Sequence, residues 1–360
     1  MKKRIAIFLA ALMVGCLTAC GNTNEISIPI SPYSQSMVSE DSDTEPEVQE
    51  ETTTVPSVSI PVLDEIQEIS AEYLQESDQP GTIERLDYQT ESYTNTGEIQ
   101  DKYAYVYVPY NYDETQQYEV LYLLHGGGGG VGTYFGGEGQ SSELKQILDN
   151  LIASGNMEPL LVVTPTFYPM ENTDNSVSAA GELVARFPNE LADNLIPAVE
   201  SRYSTYAEST DSQGLIASRD HRAFGGFSMG SVATWYAFIE YLDYFHTFIP
   251  ISGDCWAIAT QGGGSRPEET AGVLDQALAD SGYCPEDFFV YAITGSEDIA
   301  YPIMSSQIEA MQNLPDSFHF GTDHETENIR FAVLDGGEHN YNYVRRYLYN
   351  LMPLLWQPEA

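Results

Sequence analysis

The stretch Arg222–Ser231, R-A-F-G-G-F-S-M-G-S, constrains the fold of this chain more than any other. Inside it, Gly226-Phe227-Ser228-Met229-Gly230 is a G-x-S-x-G. A serine hydroxyl is a poor nucleophile unless it projects from a sharp turn toward a base. The strand-to-helix turn that projects it brings backbone atoms so close that only glycine fits two positions before and two after. The flanks agree. Ala223–Phe227 is small and apolar, as a buried parallel strand is. Val232–Leu242, V-A-T-W-Y-A-F-I-E-Y-L, reads as a helix with a large apolar face. A glycine-rich turn with a satisfied serine is the plain alternative, and the partners found further along the chain weigh against it.

The rest of the chain alternates strands and helices. Thr82–Tyr88 and Lys102–Val108 have period-2 patterning, expected of an antiparallel start with one wet face. Glu119–Leu124 is apolar after its first residue, hence a central buried strand, and runs into His125 and the glycines Gly126 to Gly130. Ser142–Ala153 reads as a helix, Leu160–Thr164 as a buried strand and Gly181–Tyr203 as mostly helix. Further strands are expected at Thr247–Ser252, Phe288–Thr294 and Ile329–Leu334. Further helices are expected at Pro267–Ser281, in what looks like an insertion, at Ile303–Leu314 and at Tyr341–Trp356. Leu63–Leu74 reads as a short helix in a lead-in over 62–80. This alternation predicts an α/β fold over 81–360, with a mostly parallel central sheet, helices on both faces and an antiparallel N-terminal start.

A serine in this motif needs a base, an orienting acid and an oxyanion hole, in the chain order serine, acid, histidine. Of the six histidines, only His339 sits at the C-terminal end of a late strand, where active sites of open α/β sheets gather. His125, His221, His246, His319 and His324 read as structural. The acid belongs on the loop after the preceding strand, Gly295-Ser296-Glu297-Asp298. Asp298 is the choice, with Glu297 and Asp335 as alternatives. The two oxyanion-hole N–H groups are expected from Met229, directly after the nucleophile, and from the glycine loop at Gly127. That loop has no following Lys-Ser/Thr, which argues against a nucleotide P-loop.

The N-terminus carries targeting information. Lys2-Lys3-Arg4 is a basic n-region, and Ile5–Val14 is an apolar stretch too short to span a bilayer. Leu17-Thr18-Ala19-Cys20 resembles the lipobox of bacterial lipoproteins. That resemblance implies a signal peptide over 1–19, lipidation of Cys20, and an extracytoplasmic protein held on a cell membrane, with an ordinary cleaved signal as the alternative. Residues 20–61 read as a disordered tether, rich in Ser, Thr, Pro and Glu, with acids at Glu25, Glu40, Asp41, Asp43, Glu45, Glu47, Glu50 and Glu51 and no Lys or Arg. Asp41-x-Asp43-x-Glu45 lacks the glycine and final glutamate of a calcium loop. Fourteen Lys and Arg face 54 Asp and Glu, a formal net charge of −40. Such a chain does not bind nucleic acid by phosphate neutralisation and repels anionic polymers at long range. Cys255 and Cys284 remain in the folded part, either as a disulfide or as two thiols.

Four stretches together resemble one family. They are Val120-Leu-Tyr-Leu-Leu-His-Gly-Gly127, Arg222-Ala-Phe-Gly-Gly-Phe-Ser-Met-Gly230, Gly295-Ser-Glu-Asp298 and Gly336-Gly-Glu-His339. They are similar to the esterase D / carbohydrate esterase family 1 pattern, and among its members to the feruloyl esterase domains of bacterial xylanases. The resemblance covers roughly Gly81–Trp356 and includes the expected helix around Asn189–Glu200. It implies an α/β-hydrolase fold, a triad of Ser228, Asp298 and His339, and no metal or cofactor; the sequence itself shows no sign of an obligate protein partner. Ser231 departs from the pattern, since a third glycine is common there. Residues 262–281 depart from it as an insertion of no assigned role, which leaves substrate preference open. The implied substrate is an acyl ester, with feruloyl or related groups on plant cell-wall polysaccharide as the first reading. A feruloyl group wants an aromatic slot, for which Trp256, Tyr134, Phe135 and Tyr168 are the candidates. Acetyl-polysaccharide esterase, siderophore esterase and acyltransferase are the alternatives within the fold. A glycan-binding lipoprotein without turnover is the alternative outside catalysis.

Overall fold

Successive side chains of a strand leave on opposite faces, so a run that is apolar throughout must be covered on both sides. Val120–Leu124 and Leu160–Val163 are such runs, and the computed structural model buries both in the middle of one sheet. It describes residues 66–92, 97–170, 177–321 and 327–356. The signal segment, Cys20, the tether, the first residues of the lead-in and His324 lie outside the described residues.

The strands are β1 (Thr82–Glu91), β2 (Ile99–Val108), β3 (Glu119–Leu124), β4 (Leu160–Thr164), β5 (Arg222–Phe227), β6 (Thr247–Ile251), β7 (Phe289–Gly295) and β8 (Ile329–Leu334). The helices are α1 (Glu143–Ala153), α2 (Val177–Val184), α3 (Phe187–Glu190), α4 (Ile196–Arg202), α5 (Ser212–Ala217), α6 (Met229–Glu240), α7 (Gly262–Ser265), α8 (Pro267–Ser281), α9 (Tyr301–Gln312) and α10 (Tyr341–Leu351). The strands lie in the order β1-β2-β4-β3-β5-β6-β7-β8. β1 pairs antiparallel with β2 and β2 antiparallel with β4, while every other pair is parallel. This is the α/β-hydrolase arrangement, with the antiparallel start that the alternating patterns of β1 and β2 predict.

Two cores flank the sheet. On one face Tyr122, Leu124, Phe224, Phe248 and Phe331 meet α2, α3, α4, α6, α8 and α9. On the other, Leu121, Leu123, Ile249, Ile251 and Ala332 meet α1 and α10. Helix α1 starts where Ser142 caps it, accepting from Lys145 N–H at 3.2 Å. The entry to β5 is locked by Arg222, which is almost fully buried. Its guanidinium donates to the Glu200 carboxylate, to Ser218 Oγ, to Leu215 O at 2.7 Å and to Tyr244 O at 2.8 Å.

The chain runs from β3 outward to β4, then returns to place β5 on the other side of β3. The β3–β5 boundary is therefore the switch point, where connections diverge and leave a crevice beyond the strands' C-terminal ends. Register sets Leu124 beside Gly226, so the glycine loop and Ser228 emerge together.

The lead-in differs from its expected helix. Ile66–Ser70 is not helical, and only Ala71–Leu74 forms a turn of 3₁₀-helix. Its backbone groups are taken by α10 instead. Gln67 N–H donates to Asn350 Oδ1 at 2.8 Å, Asn350 Nδ2 donates to Gln67 O at 2.9 Å, and Arg346 donates to Ile66 O. Cys255 and Cys284 are free thiols, the first buried and the second exposed.

Candidate active site

Ser228 stands between β5 and α6 with φ 55° and ψ −112°, a conformation rare for any residue but glycine. It is held there by its neighbours. Ser228 N–H donates to Ile251 O at 2.8 Å, and Val232 N–H donates to Ser228 O at 3.1 Å. A Cβ on Gly226 would meet Leu124 O at 2.7 Å, and one on Gly230 would meet the same oxygen at 2.5 Å. Both glycines are required by the close approach of β3, as the motif's spacing implies. Ser231, at the position where a third glycine is common, is fully buried and donates to Gly253 O at 2.8 Å. The hydroxyl thus ties α6 to the loop after β6, and Trp235 Nε1 donates to the same carbonyl at 3.0 Å.

His339 follows β8 and Asp298 follows β7. His339 Nε2 lies 2.9 Å from Ser228 Oγ, and His339 Nδ1 lies 2.7 Å from Asp298 Oδ1. The same carboxylate oxygen accepts Ala300 N–H at 2.7 Å. The Asp298 side chain is fully buried, whereas His339 keeps 21% of its side-chain surface. Glu297 and Asp335, the alternative acids, are exposed, and Asp335 instead accepts from Ser296 Oγ at 3.2 Å. The loops carrying acid and histidine are clipped together by Glu297 N–H donating to Gly337 O at 2.9 Å. A Cβ on Gly295 would fall 2.2 Å from that oxygen, so only glycine permits the contact. The Phe227 ring lies over the imidazole, with centroids 4.5 Å apart.

The glycine loop is the third part. Its N–H groups are engaged one by one. Gly126 donates to Tyr341 Oη at 2.8 Å, Gly128 to Tyr168 Oη at 3.2 Å, Gly129 to Gly126 O at 3.1 Å and Gly130 to Thr133 Oγ1 at 2.8 Å. Among the described residues, Gly127 N–H has no acceptor, and neither has Met229 N–H at the start of α6. Gly127 faces Met229, since a Cβ there would sit 3.3 Å from Met229 Cγ. Two uncommitted donors therefore lie on the two segments that meet at the serine. His125 braces the loop from below, with Nδ1 donating to Gly126 O at 2.7 Å and Nε2 accepting from Thr166 Oγ1 at 2.7 Å. Burial holds its imidazole down to about 4, so the ring is neutral.

The four aromatic residues expected to form a slot have different positions. Phe135 is fully buried and stacks on Tyr107 with centroids 6.2 Å apart, so it belongs to the core. Tyr134 is also buried, with its hydroxyl donating to Leu124 O at 3.1 Å and its ring edge-on to Tyr341. Tyr168 is buried beneath the glycine loop and stacks on His125. Phe135, Tyr134 and Tyr168 are therefore corrected from slot to scaffold, because all three are buried and engaged within the protein. Trp256 alone of the four is half-buried, with its ring edge 3.3 Å from the Cβ position of Gly181 on α2. Tyr341 is the contributor that sequence reasoning missed. Its signal was its place two residues after His339, at the start of α10. No group of three or more His, Cys, Asp or Glu among the described residues has metal-holding geometry.

A serine, an imidazole and a buried carboxylate in series, at the C-terminal edge of a parallel α/β sheet, define the serine hydrolases of the α/β-hydrolase fold. The model of the Esterase family ("Putative esterase") matches residues 99–277. A mutant of the feruloyl esterase module from Clostridium thermocellum, solved with sinapinate, is 38% identical. Its TM-score is 0.70, and the match covers 84% of this chain and 99% of that one. The chain belongs to this esterase family and is a serine carboxylic ester hydrolase. Endo-1,4-beta-xylanase Y of Acetivibrio thermocellus is 44% identical over 260 residues, which are 72% of this chain and 22% of that protein. An endo-1,4-beta-xylanase/feruloyl esterase of Xylanibacter ruminicola is 33% identical over 160 residues, 43% of this chain and 19% of that protein. The chain thus spans about a fifth of the length of these two relatives.

Proposed function

We propose that this esterase releases feruloyl or related hydroxycinnamoyl groups from plant cell-wall polysaccharide through a covalent acyl-enzyme. The observation that carries the chemistry is the continuous contact Ser228 Oγ–His339 Nε2, His339 Nδ1–Asp298 Oδ1. Ser228 Oγ attacks the acyl carbon while His339 Nε2 takes its proton. Asp298 holds the imidazole in the tautomer that can accept it and stabilises the resulting cation. The carbonyl oxygen, now anionic, is met by the N–H groups of Gly127 and Met229. Collapse breaks the ester bond, and the departing sugar oxygen takes the proton from His339. Water then repeats the sequence on the acyl-enzyme, giving the free acid and restoring Ser228.

The acyl preference is supported by the sinapinate bound to the 38% identical module and by the half-buried Trp256 ring on the loop beside the serine. Gly253 on that loop abuts Ser228, since a Cβ there would lie 2.7 Å from Ser228 O. Both relatives are named as endo-1,4-beta-xylanases and the Xylanibacter ruminicola protein also as a feruloyl esterase, which supports polysaccharide as the carrier.

The test compares kcat/KM on methyl ferulate with that on ethyl acetate. A preference for ferulate is expected. Ser228→Ala and Asp298→Asn each lower kcat on order of 10⁴-fold. A preference for acetate moves the reading to an acetyl-polysaccharide esterase, and near-normal turnover in Ser228→Ala overturns the triad. We also propose that Cys20 is lipidated and anchors the enzyme outside the cytoplasm, for which the basic n-region and Leu17-Thr18-Ala19-Cys20 are the support. Cys20→Ala is expected to move the protein to the soluble fraction with activity intact, and continued membrane association counts against the anchor.

A further inference from the structure

A carboxylate is costly to bury and persists only where its oxygens are well satisfied. Asp254, on the loop after β6, keeps 1% of its surface, and burial pushes its pKa up. Its two oxygens face in two directions. Oδ1 accepts the indole N–H of Trp256 at 2.9 Å, and Oδ2 accepts the backbone N–H of Gly263, the second residue of α7, at 2.8 Å. The residue between them is fixed as well. Cys255 is fully buried, and its N–H donates to Gln307 Oε1 on α9 at 2.7 Å. Gln307 is itself fully buried.

Neither Asp254 nor Gln307 has a hydrogen bond to Ser228, His339 or Asp298. What the pair fixes is Trp256. A half-buried indole resting by one edge on Gly181 can rotate about its side-chain bonds. An N–H committed to a buried anion selects one orientation, at the strength of a hydrogen bond to a charged acceptor. The α7–α8 segment, read from the sequence as an insertion, enters the same arrangement through Gly263.

We infer that Asp254 is a positioning residue for substrate choice. It sets the orientation of the Trp256 ring, and so the preference for hydroxycinnamoyl over small acyl esters. This rests on the reading of Trp256 as the surface that receives the aromatic acyl group. Asp254 touches neither the substrate nor the reacting atoms, so its effect falls on KM for aromatic esters rather than on kcat.

The experiment measures the ratio of kcat/KM on methyl ferulate to that on ethyl acetate. It uses the wild type, Asp254→Asn, Trp256→Phe, the double variant and Trp256→Ala. Asparagine offers one acceptor oxygen where two N–H groups must be met. Phenylalanine keeps an aromatic face but has no N–H. Each single change is expected to lower the ratio about tenfold, through KM, the loss of one charge-assisted hydrogen bond. The double variant is expected to fall no further, because both changes remove the same contact. Additive losses, or an unchanged ratio in Asp254→Asn, overturn the inference. If Asp254→Asn does not fold, Trp256→Phe decides alone, and a wild-type ratio there overturns it. Trp256→Ala separates the two levels. A ratio unchanged in Trp256→Ala removes the aryl-surface reading and this inference with it. A ratio lowered in Trp256→Ala but not in Asp254→Asn removes this inference only.

Discussion

At the scale of single residues, the site depends on groups outside the Ser228–His339–Asp298 series. Tyr341 shows this most directly. Its hydroxyl takes Gly126 N–H at 2.8 Å, and its ring lies edge-on to Phe227, which in turn covers His339. With Tyr168 on Gly128, it brackets Gly127 and leaves that N–H directed at no protein acceptor. An oxyanion donor works by being fixed before charge develops, so a loosened loop costs transition-state binding more than substrate binding. Tyr341→Phe keeps the ring and removes the anchor. Loss of one hydrogen bond of ordinary worth, about 1 kcal/mol, corresponds to a fall in kcat of about fivefold to tenfold. KM on methyl ferulate is expected to stay within about twofold, the pattern of an interaction realised only in the transition state. A rise in KM at unchanged kcat would show that Tyr341 serves substrate binding instead.

At the scale of elements, the nucleophile strand is held at both ends. Gly226 and Gly230 fit it against β3 at the top, and Arg222 anchors it at the bottom. The Arg222–Glu200 pair is almost fully buried on both sides, and the remaining guanidinium N–H groups go to Leu215 O, Tyr244 O and Ser218 Oγ. Arg222→Met leaves the Glu200 carboxylate buried and without its cation. Breaking a buried pair from one side costs about 3–5 kcal/mol. A large fall in the urea midpoint is expected, with kcat of the folded fraction near normal; an unchanged midpoint would show that Glu200 finds another partner. This lock also marks where sequence reading stops. β3, β4, β5 and β8 were legible because a buried parallel strand is apolar at nearly every position, Arg222 and Arg330 being exceptions, and the grouping of Ser228, Asp298 and His339 because each follows the C-terminal end of a strand. Arg222–Glu200, Tyr341–Gly126 and Asp254–Trp256 were not, because no local pattern records a contact made by tertiary packing. The lead-in failed for the same reason, its helical spacing overridden by Asn350 and Arg346 of α10. Tyr134 and Phe135 failed because a glycine loop carries no periodicity to say which way the next side chains turn.

At the scale of the whole molecule, the dominant property is charge. With 54 acids against 14 Lys and Arg, most carboxylates have no basic partner available in the chain. Several of the strongest cations are spent internally: Arg222 on Glu200, Lys102 on Glu190 and Lys145 on Asp149. What remains outward is mutual repulsion, which opposes the compact state and is relieved by salt. Added salt also weakens surface ion pairs such as Arg85–Asp87, Arg345–Glu143 and Arg346–Glu68, but each is worth little. Repulsion is therefore expected to win, and Tm to rise as NaCl goes from about 10 mM to about 150 mM, a change that shortens the screening length from about 30 Å to about 8 Å. The substrate response separates this from any effect on the site. Methyl ferulate is neutral, and its kcat/KM is expected to stay within about twofold over the same range. A feruloylated xylan fragment bearing glucuronate is repelled at long range, and its kcat/KM is expected to rise with salt through faster association. A Tm that falls on adding salt would mean that ion pairs rather than repulsion govern the fold. A charged substrate with no salt dependence would mean that the field at the mouth of the site is not the field of the whole chain.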